Sequence, residues 1–234
     1  MILHSLFDVL AWLAAALVAW SIRRTGWLAE TMQFTLADNP GYFIALSLGA
    51  IAGALVFGSL NLDFAGRPVI GHSIAGALFG GIAAVESFKL ATGIRGSTGL
   101  RLVAPLALGI AVGRWGCFFA GLPDYTFGVF TTLPWGVDFG DGLRRHPVQL
   151  YESVAMLAFL GVFLAGIAAR APLFRRHGFY LFVGWYGAQR FAWEFLKPYP
   201  TVLGPFNLFH LACLALATYS MVMLWRSHDA RALD

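Results

Sequence analysis

The chain has 234 residues, of which 59% are hydrophobic and only 12% charged, with a formal net charge of +4. A soluble domain carries about 25% charged residues, so this composition excludes an ordinary water-soluble globule and points to an integral membrane protein. Two cysteines, Cys117 and Cys213, sit in separate apolar segments, which leaves no disulfide framework and no CxxC metal spacing.

A helix needs about 20 apolar residues to cross a bilayer. Seven stretches reach or approach that length, near 5–22, 41–62, 69–91, 102–121, 150–169, 178–197 and 203–225. The expected fold is an all-α polytopic membrane protein with seven transmembrane helices, forming a single membrane domain over 1–234. The first stretch has no basic segment ahead of it, and Arg23 and Arg24 follow it, so it reads as a retained span and not a cleaved signal. Spans two, three and four carry Gly49/Gly53, Gly76/Gly80 and Gly109/Gly113, a spacing that lets helix backbones approach closely.

Basic residues set the orientation. The connections after spans one, three and five and the C-terminal tail hold Arg23, Arg24, Lys89, Arg95, Arg101, Arg170, Arg175, Arg176, Arg226 and Arg231; the other side holds Arg67, Arg144, Arg145 and Lys197. Ten against four puts the N-terminus outside and the C-terminus in the cytoplasm. Charge spread over short loops in this way orients a membrane protein and gives no surface for nucleic acid. The 122–149 connection, rich in turn formers such as Pro123, Asp124, Pro134, Asp138 and Asp141, is expected on the outer face as a cap.

Two arginines lie inside apolar spans. Arg114 falls in the outer third of span four, and Arg190 lies twelve residues beyond Gly178 in span six, roughly 18 Å along the axis. Span five opens with His146, Gln149, Tyr151 and Glu152; span three opens with His72; span one brings His4 and Asp8 one turn apart. Ionisable groups at membrane depth are costly and mark function by default. Paired arginines suit a phosphodiester, and a histidine with a carboxylate moves a proton. The amides opening span three at Gly71-His72-Ser73 also favour an anion. The set reads as a phospholipid headgroup site entered sideways from the bilayer. No ligand spacing suggests a metal, and no cofactor is called for.

These residues also carry a resemblance. Gly113-Arg114-x-Gly116 with Gly128 downstream, Leu133-Pro134-Trp135-Gly136, His146-Pro147-x-Gln149-Leu150-Tyr151-Glu152, and Tyr186-Gly187-x-x-Arg190-Phe191-x-x-Glu194-Phe195 together resemble prolipoprotein diacylglyceryl transferase, from about Gly66 to the C-terminus. The resemblance implies a seven-span enzyme of the bacterial inner membrane that moves the diacylglyceryl group of phosphatidylglycerol to the lipobox cysteine thiol of a prolipoprotein. It implies that Arg114 and Arg190 are the two essential arginines, that His146 and Glu152 belong to the outer motif, and that Gly128 is the loop glycine.

The chain departs from that pattern on the acceptor side. Cys117 and Ala120 stand where the family has asparagines, Leu122 where it has glutamate, and Gly71 where it has histidine, with His72 one place later. The tyrosine of span one is absent, with His4 and Asp8 in that region, and the arginine of span two has no counterpart. The sequence-based reading is a phosphatidylglycerol-dependent transferase in which Arg114 and Arg190 hold the phosphate, and His146 or His72 takes the acceptor proton, oriented by Glu152 or Asp8. Gly128, Gln149, Tyr151, Asp124, His4 and Asp8 complete the binding set. Cys117 is expected to pack without acting as a nucleophile. Two alternatives stand beside this reading: a related transferase or hydrolase using another acceptor, and a non-catalytic phospholipid-binding membrane protein.

Overall fold

The computed structural model describes residues 2–28 and 39–229. Among them are seven α-helices, α1 (Ile2–Thr25), α2 (Pro40–Phe64), α3 (Ile74–Thr92), α4 (Val103–Ala120), α5 (Val148–Ala168), α6 (Pro172–Glu194) and α7 (Leu208–Asp229). Two short hairpins accompany them, β1 (Val137–Asp138) with β2 (Arg144–Arg145), and β3 (Thr201–Leu203) with β4 (Phe206–Asn207). The chain divides into two compact units, Met1–Thr31 with Gly99–Pro198, and Met32–Thr98 with Tyr199–Asp234.

The helix ends follow local chemistry. Pro40 and Pro172 sit in the first turns of α2 and α6, where the missing N–H costs nothing. Ser73 caps α3 by accepting from the Gly76 amide, and Gly93 ends it in the left-handed conformation. Asn207 and His210 cap α7 reciprocally, each side chain accepting the other's backbone N–H at 2.9 and 3.1 Å.

Among the described residues, six helical segments are long and apolar enough to cross a membrane: Leu3–Thr25, Pro40–Phe64, Ile74–Thr92, Leu100–Ala120, Val148–Ala168 and Leu208–Ser227. The chain is therefore a polytopic, all-α membrane protein. Lipid-facing surface accounts for exposed residues such as Trp12, Leu17, Leu48, Ile51, Met221 and Trp225. The expected span 178–197 is instead the far part of α6, whose Arg175, Arg176, Arg190 and Glu194 keep it out of the apolar set.

In the second unit α2 lies against α3 backbone to backbone. A Cβ on Gly53 would come within 2.1 Å of the Gly76 carbonyl oxygen, and one on Gly49 within 2.5 Å of that of Gly80. Lipid supplies no hydrophobic force between helices, so this close approach and its dispersion contacts hold the pair.

In the first unit α1 packs along α4, and α4, α5 and α6 pack together. Gly109 and Gly113 face Ala15 and Ala11 at ordinary contact distance, but at Gly116 the helices close in. A Cβ there would meet Phe7 Cβ at 2.8 Å and the His4 carbonyl at 3.2 Å. The two helices are thus tightest at the end where α1 carries its polar residues. Val103, Ala107, Val148, Met156, Phe163 and Phe182 form the buried apolar interior.

The 122–149 connection is ordered. After a tight turn at Leu122–Asp124, β1 and β2 pair in antiparallel register, Val137 with Arg145 and Asp138 with Arg144. Asp138 Oδ1 accepts from the amides of Gly140, Asp141 and Gly142 at 2.8–3.1 Å, closing the turn. Arg145 grips both Asp141 oxygens at 2.6 Å and stacks over Phe127 and Phe130. The Arg145 guanidinium holds the Asp141 carboxyl below the usual carboxylate range, chiefly through these hydrogen bonds.

Candidate functional site

At one end of the first unit, the C-terminal parts of α4 and α6 meet the start of α5. Arg114 is six residues before the end of α4, Glu152 is four after the start of α5, and Arg190 is four before the end of α6. At 1.5 Å per residue these positions lie about 6–9 Å from their helix ends, so antiparallel packing brings the three side chains to one level. Glu152, 2% exposed, bridges Arg114 through one carboxylate oxygen and Arg190 through the other. Lys197 Nζ reaches Glu152 Oε1 at 2.7 Å, and Arg190 Nε reaches Glu194 Oε1 at 2.7 Å. The i, i+4 pairing of Arg190 with Glu194 visible in the sequence is therefore present, inside a larger network.

The cluster has three cations and two carboxylates, all buried. Taking each ion out of water costs several kcal/mol, and mutual attraction offsets this only when the charges match. One positive charge is left over. A buried surplus of positive charge is costly unless an anionic group balances it.

A second polar line starts next to it. Gly116 lets α1 approach, which sets His4 beside Cys117 and Arg114: His4 Nε2 is 4.0 Å from Cys117 Sγ, and an Arg114 terminal nitrogen is 3.9 Å from the same sulfur. His4 Nδ1 bonds Asp8 Oδ2 at 2.8 Å, while its Nε2 is 3.2 Å from Asp124 Oδ1. Thr126 Oγ1 donates to Asp124 Oδ2 at 2.6 Å and accepts from Gln149 Nε2 at 3.3 Å. The line from Asp8 to Gln149 therefore gathers five separately placed residues, of which Gln149 is fully buried with its Oε1 lacking a hydrogen-bond donor.

His146 lies on the β2–α5 corner. Its Nδ1 is 3.2 Å from the Tyr151 hydroxyl, which accepts from Trp135 Nε1 at 2.8 Å. Gly128 is packed against it: the Gly128 amide donates to the His146 carbonyl at 3.0 Å, and any Cβ on Gly128 would meet His146 Cβ at 2.6 Å. Only glycine fits, so Gly128 positions the histidine through the backbone.

The structure brings Arg114, Arg190 and Glu152 together and joins His4, Asp8, Asp124 and Gln149 in one line. It differs from the sequence reading on the orienting carboxylates. Glu152 does not turn an imidazole, because both its oxygens are occupied by arginine and lysine; Asp8 orients His4, not His146 or His72. His72 belongs to the second unit, where it is exposed ahead of α3. Lys197, a loop charge by sequence, joins the buried cluster, and its place three residues after Glu194 is the available signal. The Cys117–His4 approach had none, because 113 residues separate them.

A sequence model of the prolipoprotein diacylglyceryl transferase family matches residues 5–226. A phosphatidylglycerol–prolipoprotein diacylglyceryl transferase of Bacillus cereus (strain Q1) is 28% identical over 205 residues, covering 80% of this chain and 64% of its own length. One of Geobacter sulfurreducens is 34% identical over 131 residues, covering 52% of this chain and 48% of its own length. The chain thus spans less than two thirds of these relatives. No solved structure matches it.

Proposed function

The chain belongs to the prolipoprotein diacylglyceryl transferase family, and from that membership we propose that it transfers the diacylglyceryl group of phosphatidylglycerol, or a similar phospholipid, to a prolipoprotein cysteine thiol. The observation that carries this is the buried cluster of Arg114, Arg190 and Lys197 against Glu152 and Glu194, one positive charge in excess. A phosphodiester carries one negative charge and would complete the balance. Glu152 holds the two arginine forks in place, so their remaining N–H groups are set for phosphate oxygens before substrate arrives.

In this reading the acceptor sulfur attacks the glyceryl carbon that bears the phosphate ester. The carbon–oxygen bond breaks, and glycerol phosphate leaves with the electron pair, its growing charge met by Arg114 and Arg190. His146, steadied by Tyr151 and by Gly128, takes the thiol proton. Asp124, Gln149, His4 and Asp8 line the acceptor side.

The proposed setting is the bacterial inner membrane. All seven helices cross it in one membrane domain, with the N-terminus outside and the C-terminus in the cytoplasm. Support comes from the ten-to-four distribution of basic residues and from the 23 residues of α6, about 35 Å of helix, whose buried ions are paired. The 122–149 connection would then cap the site from outside.

Purified protein in phospholipid vesicles, given glycerol-labelled and acyl-labelled phosphatidylglycerol with a lipobox peptide, should release glycerol phosphate and attach the diacylglyceryl group to the peptide's cysteine. Binding without product would make it a phospholipid-binding protein. Release of diacylglycerol without peptide would make it a hydrolase.

A further inference from the structure

We propose that His4, Cys117 and Asp124 form a binding site for a zinc-class divalent cation, with an open fourth position that takes a thiol. One nitrogen, one sulfur and one carboxylate oxygen, from α1, from α4 and from the turn that follows α4, lie within 4.8 Å of one another. His4 Nε2 stands 3.2 Å from Asp124 Oδ1 and 4.0 Å from Cys117 Sγ. Tetrahedral zinc with ordinary bond lengths sets nitrogen and oxygen about 3.3 Å apart and nitrogen and sulfur about 3.6 Å apart. The nitrogen–sulfur separation is a few tenths of an ångström longer than that, and the sulfur and the carboxylate oxygen lie within 4.8 Å of each other.

The atoms that do not face the centre are already occupied. His4 Nδ1 is bonded to Asp8 Oδ2 at 2.8 Å, so a bound cation would take the place of a proton on Nε2, with Nδ1 donating to Asp8. Asp124 Oδ2 accepts from Thr126 at 2.6 Å, leaving Oδ1 toward the centre. A carboxylate behind a ligating histidine and a hydroxyl behind a ligating carboxylate are the usual outer contacts of a metal site. A thiolate and a carboxylate neutralise a divalent cation. All three ligands are half-buried, so the centre is enclosed and still reachable.

Three protein ligands with a vacant position characterise zinc sites that act on a bound molecule. A thiol bound there would give up its proton to His146, the base of the proposed reaction, and the thiolate would be the nucleophile. Arg114 connects the two centres, touching Cys117 and Glu152. The thiol role rests on the proposed transfer reaction: the acceptor sulfur, held as thiolate, forms the bond to the glyceryl carbon as the carbon–oxygen bond to phosphate breaks. The cation site does not depend on it.

The test uses the full chain in detergent, stripped with chelator and titrated with cobalt(II), then zinc. One equivalent should bind, with a near-ultraviolet thiolate-to-cobalt band. Cys117→Ser should remove the band, His4→Ala should abolish stoichiometric binding, and Asp8→Asn should weaken affinity about 10–100-fold. A lipobox peptide should intensify the band, and its serine analogue should not. No stoichiometric binding, a band surviving Cys117→Ser, or a diacylglyceryl adduct on Cys117 overturns the site. Full transfer by metal-free protein overturns the thiol role alone. A peptide-responsive cobalt band in protein that transfers no lipid upholds the site and defeats the transferase reading.

Discussion

Lys197 Nζ lies 2.7 Å from Glu152 Oε1, with both side chains buried. A residue beyond the end of α6 therefore supplies the third cation of a cluster otherwise built from three helices. Glu152 is its hub, contacting all three cations. Glu152→Gln leaves those cations facing Glu194 alone, and should destabilise by about 3–5 kcal/mol. Lys197→Met leaves two arginines with two carboxylates, a balanced set, and should cost clearly less while weakening phosphatidylglycerol binding. Thermal unfolding in detergent, together with lipid binding, checks the order; equal losses would remove the surplus-charge argument.

Arg190 links Glu152 and Glu194 through different nitrogens. Arg190→Lys keeps the charge and loses the planar fork, so transfer should fall roughly 10–100-fold, as loss of one or two charge-assisted hydrogen bonds implies. Glu194→Gln should lower stability with a smaller effect on turnover per folded molecule. If both variants lose turnover only in proportion to folded protein, Arg190 is a structural residue.

The Asp141–Arg145 pair gives a pH signature outside the membrane-spanning segments. Its carboxyl is depressed in the folded chain below the ordinary value of 3.8, so its contribution is present above that value and disappears as pH falls through the lowered one. Asp141→Asn should therefore melt below the unmutated protein at neutral pH, and the gap should close at pH well under 4. A gap that persists in acid means that the pair's charge is not what holds the connection.

Topology is tested in the same connection. Asp138 is unsuited to replacement, since its carboxylate closes the turn through three amides. Thr132 is exposed. A cysteine there, in a protein lacking Cys117 and Cys213, should react with an impermeant reagent from outside intact cells. Reaction only after the membrane is opened reverses the proposed orientation.

The sequence alone determined the membrane class, the close-packing glycine spacing at Gly49/Gly53 and Gly76/Gly80, and the choice of Arg114, Arg190 and Glu152 as candidate site residues. Composition, periodicity and a buried charge in an apolar run are local signals, and each is read within a single helix. Tertiary structure decided which charge meets which. Glu152 emerged as the partner of the arginines and not of a histidine, Lys197 entered the cluster, and His4 came to Cys117 and Asp124. Those pairings depend on α1 closing onto α4 at Gly116 and on α5 and α6 running antiparallel. An ion's partner is set by distance across helices, and distance between residues 113 positions apart has no trace in linear spacing.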